Sequence, residues 1–329
     1  MGVDIGGTNT KLGLVDREGK IVAQETELTA RLDQPDAVCQ FIAEAGERLA
    51  GHYGLSLESL GAIGVAMPGI LDMKHGVLKE LSNLLRWIDY PLRDKLSHFC
   101  GRPVSVLNDA SAAAFGEFTQ RNMPQQSLAL ITLGTGIGSG IVMNGEPLGG
   151  DHGCAGEIGH AVIDVTDAAR SCGCGKPGHL EAYAGSGGVI ATARAMLTRL
   201  KEDHSLASSS SLANYLDLEL TPEVIASEAE RGDRVAMEVV MQTARHIGVG
   251  VAVLCHCLDP SLVLLGGAMT FGQSRTETGR RFLAEITTTV DRFSLRQIAG
   301  NVQIDFAKLG GEAGMLGAAV YASQHTNRP

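Results

Sequence analysis

The sequence predicts an α/β protein of two domains, and three observations support this. The chain has 329 residues, which suits two domains of ordinary size. Short apolar runs that end in glycine-rich turns alternate with stretches in which apolar residues recur at helical spacing. Strands and helices alternate in this way in α/β folds. The arrangement strand, glycine-rich turn, strand occurs near residue 4 and again near residue 132. This repetition indicates an internal duplication of one α/β unit, with a chance likeness of two glycine turns as the alternative.

The first copy of the unit opens with a predicted antiparallel sheet. Period-two alternation and turn residues bound the strands, and apolar residues at helical spacing mark the helices. The segments predicted as strands are 2–5, 12–16, 21–26, 60–67 and 104–107. The segments predicted as helices are 36–53 and an alanine-rich stretch from Ala110.

The second copy repeats this order and then becomes mainly helical beyond residue 183. Asn144-Gly145 predicts a tight hairpin turn. Thr221-Pro222-Glu223 predicts a helix start, with Thr as the N-cap and Pro in the first turn. The segments predicted as strands are 128–133, 139–143 and 263–265, and a final helix is predicted from Gly311.

Composition excludes several classes of protein. Lys and Arg number 27 against 37 Asp and Glu, a net charge of −10, which disfavours binding to nucleic acid. No apolar run approaches the eighteen residues of a membrane span, and Asp4 interrupts the first apolar run, unlike a secretory signal. The seven cysteines are an odd number. We therefore expect a cytoplasmic protein with reduced thiols, outside the membrane.

Glycine is over-represented, with 42 residues of 329, where average usage is nearer 7%. Three sets lie at strand ends: Gly6-Gly7, Gly134 with Gly136, and Gly266-Gly267. Backbone N–H groups in such turns bind phosphate oxygens, so the sequence predicts a nucleotide site. The pattern matches neither a P-loop nor the GxGxxG turn of a dinucleotide fold.

Two aspartates are candidates for chemistry beside these turns. Asp4 precedes the first glycine pair, where a carboxylate can hold Mg²⁺ through water or can cap the loop's own amides. Asp109 follows a strand and begins a helix, which is the position of an ordinary N-cap. The carboxyl end of a strand is also where ligands bind in open α/β sheets. We predict that Asp109 accepts the proton of an alcohol during phosphoryl transfer.

A compact run of thiols and imidazoles predicts a structural zinc site. His160, Cys172, Cys174 and His179 follow one another as H-x11-C-x-C-x4-H, a set suited to tetrahedral Zn²⁺. Cys154 is an alternative fourth ligand, and two reduced cysteines in a glycine-rich turn are the plainer interpretation.

Two acids flank these metal-ligand candidates. Glu157 and Glu181 suit hydrogen bonding to sugar hydroxyls, or are ordinary surface acids. His160 can serve twice, with one ring nitrogen toward zinc and the other toward a substrate hydroxyl.

These motifs, in this order, resemble the ROK family of sugar kinases and repressors, and within it the bacterial glucokinase-like members. The resemblance covers nearly the whole chain. The motifs that carry it are Asp4-Ile-Gly-Gly-Thr-Asn9, Leu107-Asn-Asp-Ala110, Leu133-Gly-Thr-Gly-Ile-Gly138, Ala155-Gly-Glu-Ile-Gly-His160 and Cys172-Gly-Cys-Gly-x-x-Gly178. The family usually has a third cysteine where this chain has His179.

The resemblance implies an actin-like, ribonuclease-H-like ATPase fold, with two α/β domains and a cleft between them. The first domain would comprise residues 1–118 and 312–329, with the first phosphate loop, Asp109 and the returning C-terminal helix. The second would comprise residues 119–311, with the second phosphate loop, the zinc loop and the adenosine turn. The first phosphate loop begins at Asp4, which leaves no room for a repressor's N-terminal DNA-binding domain, unless the N-terminus is trimmed or misassigned.

The resemblance also implies roles for individual residues, with Asp109 as the base toward the sugar 6-hydroxyl. The implied sugar ligands are Asn83, Asn108, Asp109, Glu157, His160 and Glu181. The implied ligands of ATP and Mg²⁺ are Asp4, Gly6, Gly7, Thr8, Asn9, Thr135, Gly136, Gly266 and Gly267.

The activity implied is ATP-dependent phosphorylation of a hexose, with glucose as the first choice. The alternatives are a kinase for N-acetylmannosamine, N-acetylglucosamine, allose or fructose, or a non-catalytic sugar sensor of the same fold. Relatives in the family commonly form dimers or tetramers, so a homo-oligomer is expected.

Overall fold

A computed structural model describes residues 1–29, 34–81, 85–121, 127–202, 210–215 and 219–325. The chain forms two compact units. The first comprises Met1–Leu130, Gly140–Gly156 and Lys308–Pro329, and the second comprises Ile131–Ser139 and Glu157–Ala307. Among the described residues, no helix is both long enough and apolar enough to cross a membrane.

The first sheet has the strand order β3-β2-β1-β4-β7. β1 pairs antiparallel with β2 and parallel with β4, and β4 pairs parallel with β7, while β5 and β6 form a separate antiparallel ribbon. The strands are β1 Gly2–Ile5, β2 Asn9–Val15, β3 Ile21–Leu28, β4 Ile63–Met67, β5 Ile70–Asp72, β6 Val77–Glu80 and β7 Val104–Asn108. The three antiparallel strands predicted at the start of the chain are confirmed.

The second sheet has the strand order β10-β9-β8-β11-β12. Its strands are β8 Ser127–Leu133, β9 Ile137–Met143, β10 Glu146–Pro147, β11 Leu262–Gly266 and β12 Gln303–Phe306. When each sheet's strands are numbered along the chain, both orders read third, second, first, fourth, fifth. The predicted duplication of one α/β unit is therefore confirmed at the level of sheet topology.

Helices cover these sheets, and local sequence signals account for several of their ends. Thr221 accepts the N–H of Val224 at the start of α6, as predicted, and Asp233 accepts the N–H groups of Val235 and Ala236 at the start of α7. The helices are α1 Pro35–His52, α2 Leu92–Cys100, α3 Asp109–Arg121, α4 Glu181–Ala184, α5 Ser186–Glu202, α6 Pro222–Glu230, α7 Arg234–Leu258, α8 Glu277–Phe293 and α9 Ala313–His325.

The last helix, α9, packs at backbone distance against the first sheet and against α3. A Cβ added at Gly64 of β4 would lie 1.9 Å from the carbonyl oxygen of Ala318, and one at Gly317 would lie 1.8 Å from that of Ala112. Only glycine fits at these two positions, because a Cβ would overlap the neighbouring backbone. Close packing by α9 thus fixes α3, the helix that begins at Asp109.

Candidate functional site

The first glycine-rich loop joins β1 to β2 and is held by backbone and threonine hydrogen bonds. The N–H of Gly6 donates to the carbonyl oxygen of Asn9 at 2.9 Å, and the hydroxyl of Thr29 donates to that of Gly6 at 2.7 Å. Gly7, Thr8 and Asn9 are exposed. The loop therefore has a fixed backbone and an open outer surface, which is what phosphate binding by main-chain amides requires.

Asp4 lies on β1 directly beside Lys11 of β2, since the two are paired in the strand register. Burial and, to a smaller extent, the negative charge of Asp109 raise the pKa of Asp4, Lys11 opposes both effects, and the resulting pKa is about 6. Nζ of Lys11 also donates to the carbonyl oxygen of Gly311 at 2.6 Å. Lys11 was not predicted as a site residue, although the register of the first hairpin is the signal that places it beside Asp4.

Asn108 and Asp109 lie where β7 passes into α3. Oδ1 of Asn108 accepts the N–H of Ala110 at 3.0 Å, so Asn108 caps the helix, and its Nδ2 donates to the carbonyl oxygen of Gly69 at 3.0 Å. Asp109 accepts the same Ala110 N–H at 2.8 Å. Burial raises the pKa of Asp109, while the backbone amides and Asn108 oppose this rise. The capping role thus falls mainly to Asn108, whose Oδ1 also accepts the N–H of Ser111 at 3.2 Å.

The second glycine-rich loop, residues 134–138, is anchored at both ends. Both the N–H and the hydroxyl of Ser186 donate to the carbonyl oxygen of Gly134, at 3.0 and 2.9 Å. Oε2 of Glu181 accepts the N–H of Ile137 at 2.9 Å. Thr135 is exposed between these anchors. Ser186 had not been predicted, because its contact depends on how α5 approaches the loop.

The third glycine set, Gly266-Gly267, ends β11 and packs beside the second loop. Gly267 has φ of +87°, and the N–H of Met269 donates to the carbonyl oxygen of Leu133 at 3.0 Å. The backbone of this turn therefore lies next to the strand from which the second loop leaves.

The donor atoms of His160, Cys172, Cys174 and His179 converge within 4.8 Å of one another. Nδ1 of His160 lies 3.2 Å from Nδ1 of His179, which lies 3.2 Å from Sγ of Cys174. Tetrahedral Zn²⁺ bonds to nitrogen and sulfur place neighbouring donors about 3.3–3.8 Å apart. The donor chemistry and spacing therefore fit a zinc ion with four protein ligands.

The turn that carries the two cysteines is closed by backbone hydrogen bonds. The N–H of Cys172 donates to the carbonyl oxygen of Lys176 at 2.9 Å, and that of Gly175 to Cys172 at 2.9 Å. Glu157 is exposed, one turn before His160. Cys154, the alternative fourth ligand, belongs to the first compact unit, where its thiol donates to the carbonyl oxygen of His152 at 3.5 Å.

The predicted site residues thus fall into two described groups. The first unit brings together Asp4, the Gly6–Asn9 loop, Asn108 and Asp109, and the second holds the remaining ones. Asn83, predicted to bind the sugar, lies outside the described residues.

The duplicated sheet topology and glycine loops define an actin-like, ribonuclease-H-like ATPase fold. A family model for the ROK family matches residues 1–325, and the chain belongs to this family.

Relatives and solved structures match along nearly the whole chain. A glucokinase of Halalkalibacterium halodurans is 34% identical, with 99% of this chain and 96% of the relative covered. An N-acetyl-D-glucosamine kinase of Salmonella paratyphi B is 30% identical, with 97% of each covered. The ROK family glucokinase of Streptomyces griseus, in complex with glucose and AMPPNP, is 31% identical, with a TM-score of 0.73 and 98% of each chain covered. The ROK hexokinase of Thermus thermophilus is 29% identical, with a TM-score of 0.77 and coverage of 99% of this chain and 98% of that one.

Proposed function

We propose that this protein is an ATP-dependent hexose kinase that transfers the γ-phosphate to the 6-hydroxyl of glucose. The observation that carries the proposal is the position of Asp109, a half-buried carboxylate at the carboxyl end of β7, whose charge acts on Asp4. The full-length similarity to glucokinases supports the choice of reaction and of sugar.

Asp109 is the proposed base toward the sugar hydroxyl. Phosphoryl transfer has a loose transition state, so the acceptor needs correct placement more than a strong base. Asn108 supports that placement, because it caps α3 and its side-chain amide donates to the carbonyl oxygen of Gly69 and to the carboxylate of Asp109.

The nucleotide is proposed to bind through the three glycine sets. Backbone N–H groups of the Gly6–Asn9 loop and of Thr135 and Gly136 would donate hydrogen bonds to phosphate oxygens. Gly266-Gly267 would lie against the adenosine. Asp4 would hold Mg²⁺, which when bound offsets negative charge on the phosphates. An ionised Asp4 is required for this role, and Lys11 favours the ionised form.

The sugar is proposed to bind to Asn83, Asn108, Asp109, Glu157, His160 and Glu181. His160 presents Nδ1 to the other metal-ligand candidates, which leaves Nε2 for a sugar hydroxyl. Zinc held by His160, Cys172, Cys174 and His179 would fix this ring and the turn around it.

For the organisation of the chain, we propose functional domains of residues 1–118 with 312–329 and of residues 119–311. The two compact units differ from this division at residues 119–130, 140–156 and 308–311, which group with the first unit. We also propose a homo-oligomer, which the molar mass in solution measured by light scattering would test.

A coupled ADP-release assay with ATP, Mg²⁺ and a sugar panel tests the function. Turnover with glucose well above that with other sugars is expected. A preference for N-acetylglucosamine would favour the second candidate, which the Salmonella relative supports. Sugar binding without turnover on any sugar would contradict a kinase and favour the sensor.

A further inference from the structure

Glu181 contacts the second phosphate loop directly. It is the first residue of α4, two residues after His179, and its Oε2 accepts the N–H of Ile137 at 2.9 Å. The two residues are separated by 44 positions, so this bond fixes the loop exit to a distant part of the chain. A carboxylate that accepts a backbone N–H makes a stronger hydrogen bond than a neutral acceptor does.

The same carboxylate fills the space beside Gly136. A Cβ added at Gly136 would lie 2.3 Å from Oε2 of Glu181, and its other close neighbours are further atoms of that carboxylate. No side chain larger than hydrogen fits there while Glu181 holds Ile137. The conformation of the loop and the position of Glu181 therefore depend on each other.

The other oxygen of Glu181 lies beside one of the metal-ligand candidates. Sγ of Cys172 lies 3.6 Å from Oε1 of Glu181. Ser186, five residues further along the chain, anchors the other end of the same loop at Gly134. Residues 181–186 thus bracket the loop and leave Thr135 and Gly136 between two fixed points.

We infer that Glu181 is a positioning residue for the nucleotide: through the Ile137 amide, it holds the second phosphate loop in the conformation that binds ATP. This rests on the proposed function and adds to the role of Glu181 toward the sugar. A residue that only contacts sugar would leave nucleotide affinity unchanged when no sugar is present. A residue that positions the loop would change it.

The test is the affinity for AMPPNP with Mg²⁺ and without sugar, measured by calorimetry on Glu181→Ala, Glu181→Gln and Gly136→Ala. Glu181→Ala should weaken AMPPNP binding about tenfold, because the Ile137 N–H loses a charged acceptor. Glu181→Gln should weaken AMPPNP binding less, about threefold, because the amide oxygen of the glutamine still accepts this N–H. Gly136→Ala should weaken binding about as much as Glu181→Ala, since the new methyl displaces the carboxylate.

The double variant Glu181→Ala, Gly136→Ala provides the sharpest comparison. If the glycine matters through Glu181, the two losses are not additive, and the double variant resembles Glu181→Ala alone. The matched control is Glu223→Ala, which removes an exposed acid in the first turn of α6, in the same unit, and should keep wild-type AMPPNP affinity. Far-UV circular dichroism checks the folding of each variant.

Unchanged AMPPNP affinity in both Glu181 variants would overturn the inference and leave the kinase proposal intact. Additive losses in the double variant would also overturn it, because the glycine would then act independently of Glu181. A wild-type protein that does not bind AMPPNP would overturn the proposed function, and the inference with it.

Discussion

The carboxylate of Glu117 on α3 binds the backbone of Lys308, 191 residues further along the chain. Its Oε1 accepts the N–H of Lys308 and that of Leu309, each at 2.6 Å, and Oε2 accepts from Nε of Arg121 at 3.2 Å. The side chain of Glu117 is only 1% exposed. The segment that leads into α9 is therefore fastened to α3 by a buried charge.

Glu117→Ala should lower the free energy of unfolding by about 3 kcal/mol, because two part-buried backbone N–H groups and Arg121 lose the buried carboxylate that accepts from them. Urea denaturation measures this change. Glu44→Gln, at an exposed acid of α1, is the control and should stay within about 0.5 kcal/mol of the wild type. A Glu117 variant as stable as this control would mean that these hydrogen bonds make no net contribution to stability.

Asp109→Asn should reduce kcat at least ~100-fold with a modest change in the sugar KM, since the amide keeps the shape but accepts no proton. Steady-state kinetics with glucose and ATP measures both constants. Near-normal turnover would remove Asp109 from the role of base.

The wild-type protein should contain one zinc per chain, and His179→Ala should lose most of it, because three donors remain of four. Cys154→Ala should keep its zinc. Metal analysis by mass spectrometry after gel filtration decides between the two residues. Loss of zinc in Cys154→Ala, with retention in His179→Ala, would reverse the assignment of the fourth ligand.

The apparent affinity for Mg²⁺ should fall as the pH drops through about 6, because Asp4 is protonated below that value and a protonated carboxyl binds Mg²⁺ poorly. Lys11→Met removes the cation that favours the ionised form of Asp4. The fall in Mg²⁺ affinity on the acidic side, the acidic limb, should therefore occur at higher pH in this variant. Activity titrated with Mg²⁺ at several pH values measures the shift. Lys20→Met, at an exposed lysine of the same hairpin region, should leave the limb in place. An identical shift in both variants would exclude a specific effect of Lys11.

Acid should destabilise the fold through His246 of α7. Burial lowers the pKa of His246 to about 4, with smaller contributions from Arg170 and Arg245. The unfolded chain takes up this proton near pH 6.5, so stability is full above that pH and falls toward pH 4. One pKa unit corresponds to about 1.4 kcal/mol, so the loss approaches roughly 3 kcal/mol.

His246→Phe keeps a ring against Tyr183, which stacks edge-on with His246 at 5.2 Å between centroids. The Tm measured by thermal unfolding between pH 4 and 7 should depend less on pH for this variant than for the wild type. His98→Gln, at an exposed histidine of α2, should keep the wild-type slope. Equal slopes in all three proteins would exclude His246 as the source.

Strands that end in glycine turns could be predicted from the sequence, because an apolar run and its breaker are adjacent. The predicted strand 60–67 and the helix from Ala110 are present as β4 from Ile63 and α3 from Asp109. The edge strand β12 was not predicted, since its alternating polar residues need a neighbour before they indicate a strand. The ribbon of β5 and β6 was missed because strands of three and four residues are too short to show a period.

The metal-ligand candidates could be predicted together because they lie within twenty residues of one another in the chain, and their convergence is confirmed. The contacts that hold the glycine-rich loops could not be predicted from the sequence. The bond from Glu181 to Ile137 spans 44 positions, and Lys11 reaches Asp4 only through the register of a hairpin. Such contacts are set by tertiary packing, which local spacing does not encode.

The close packing of α9 against β4 and α3 has a consequence for synthesis of the protein on the ribosome. Asp109 is synthesised about 200 residues before α9, the helix that packs against α3. A nascent chain therefore lacks this support for α3 until residues 313–325 have emerged, and Asp109, the proposed base, is not held in its final place before then.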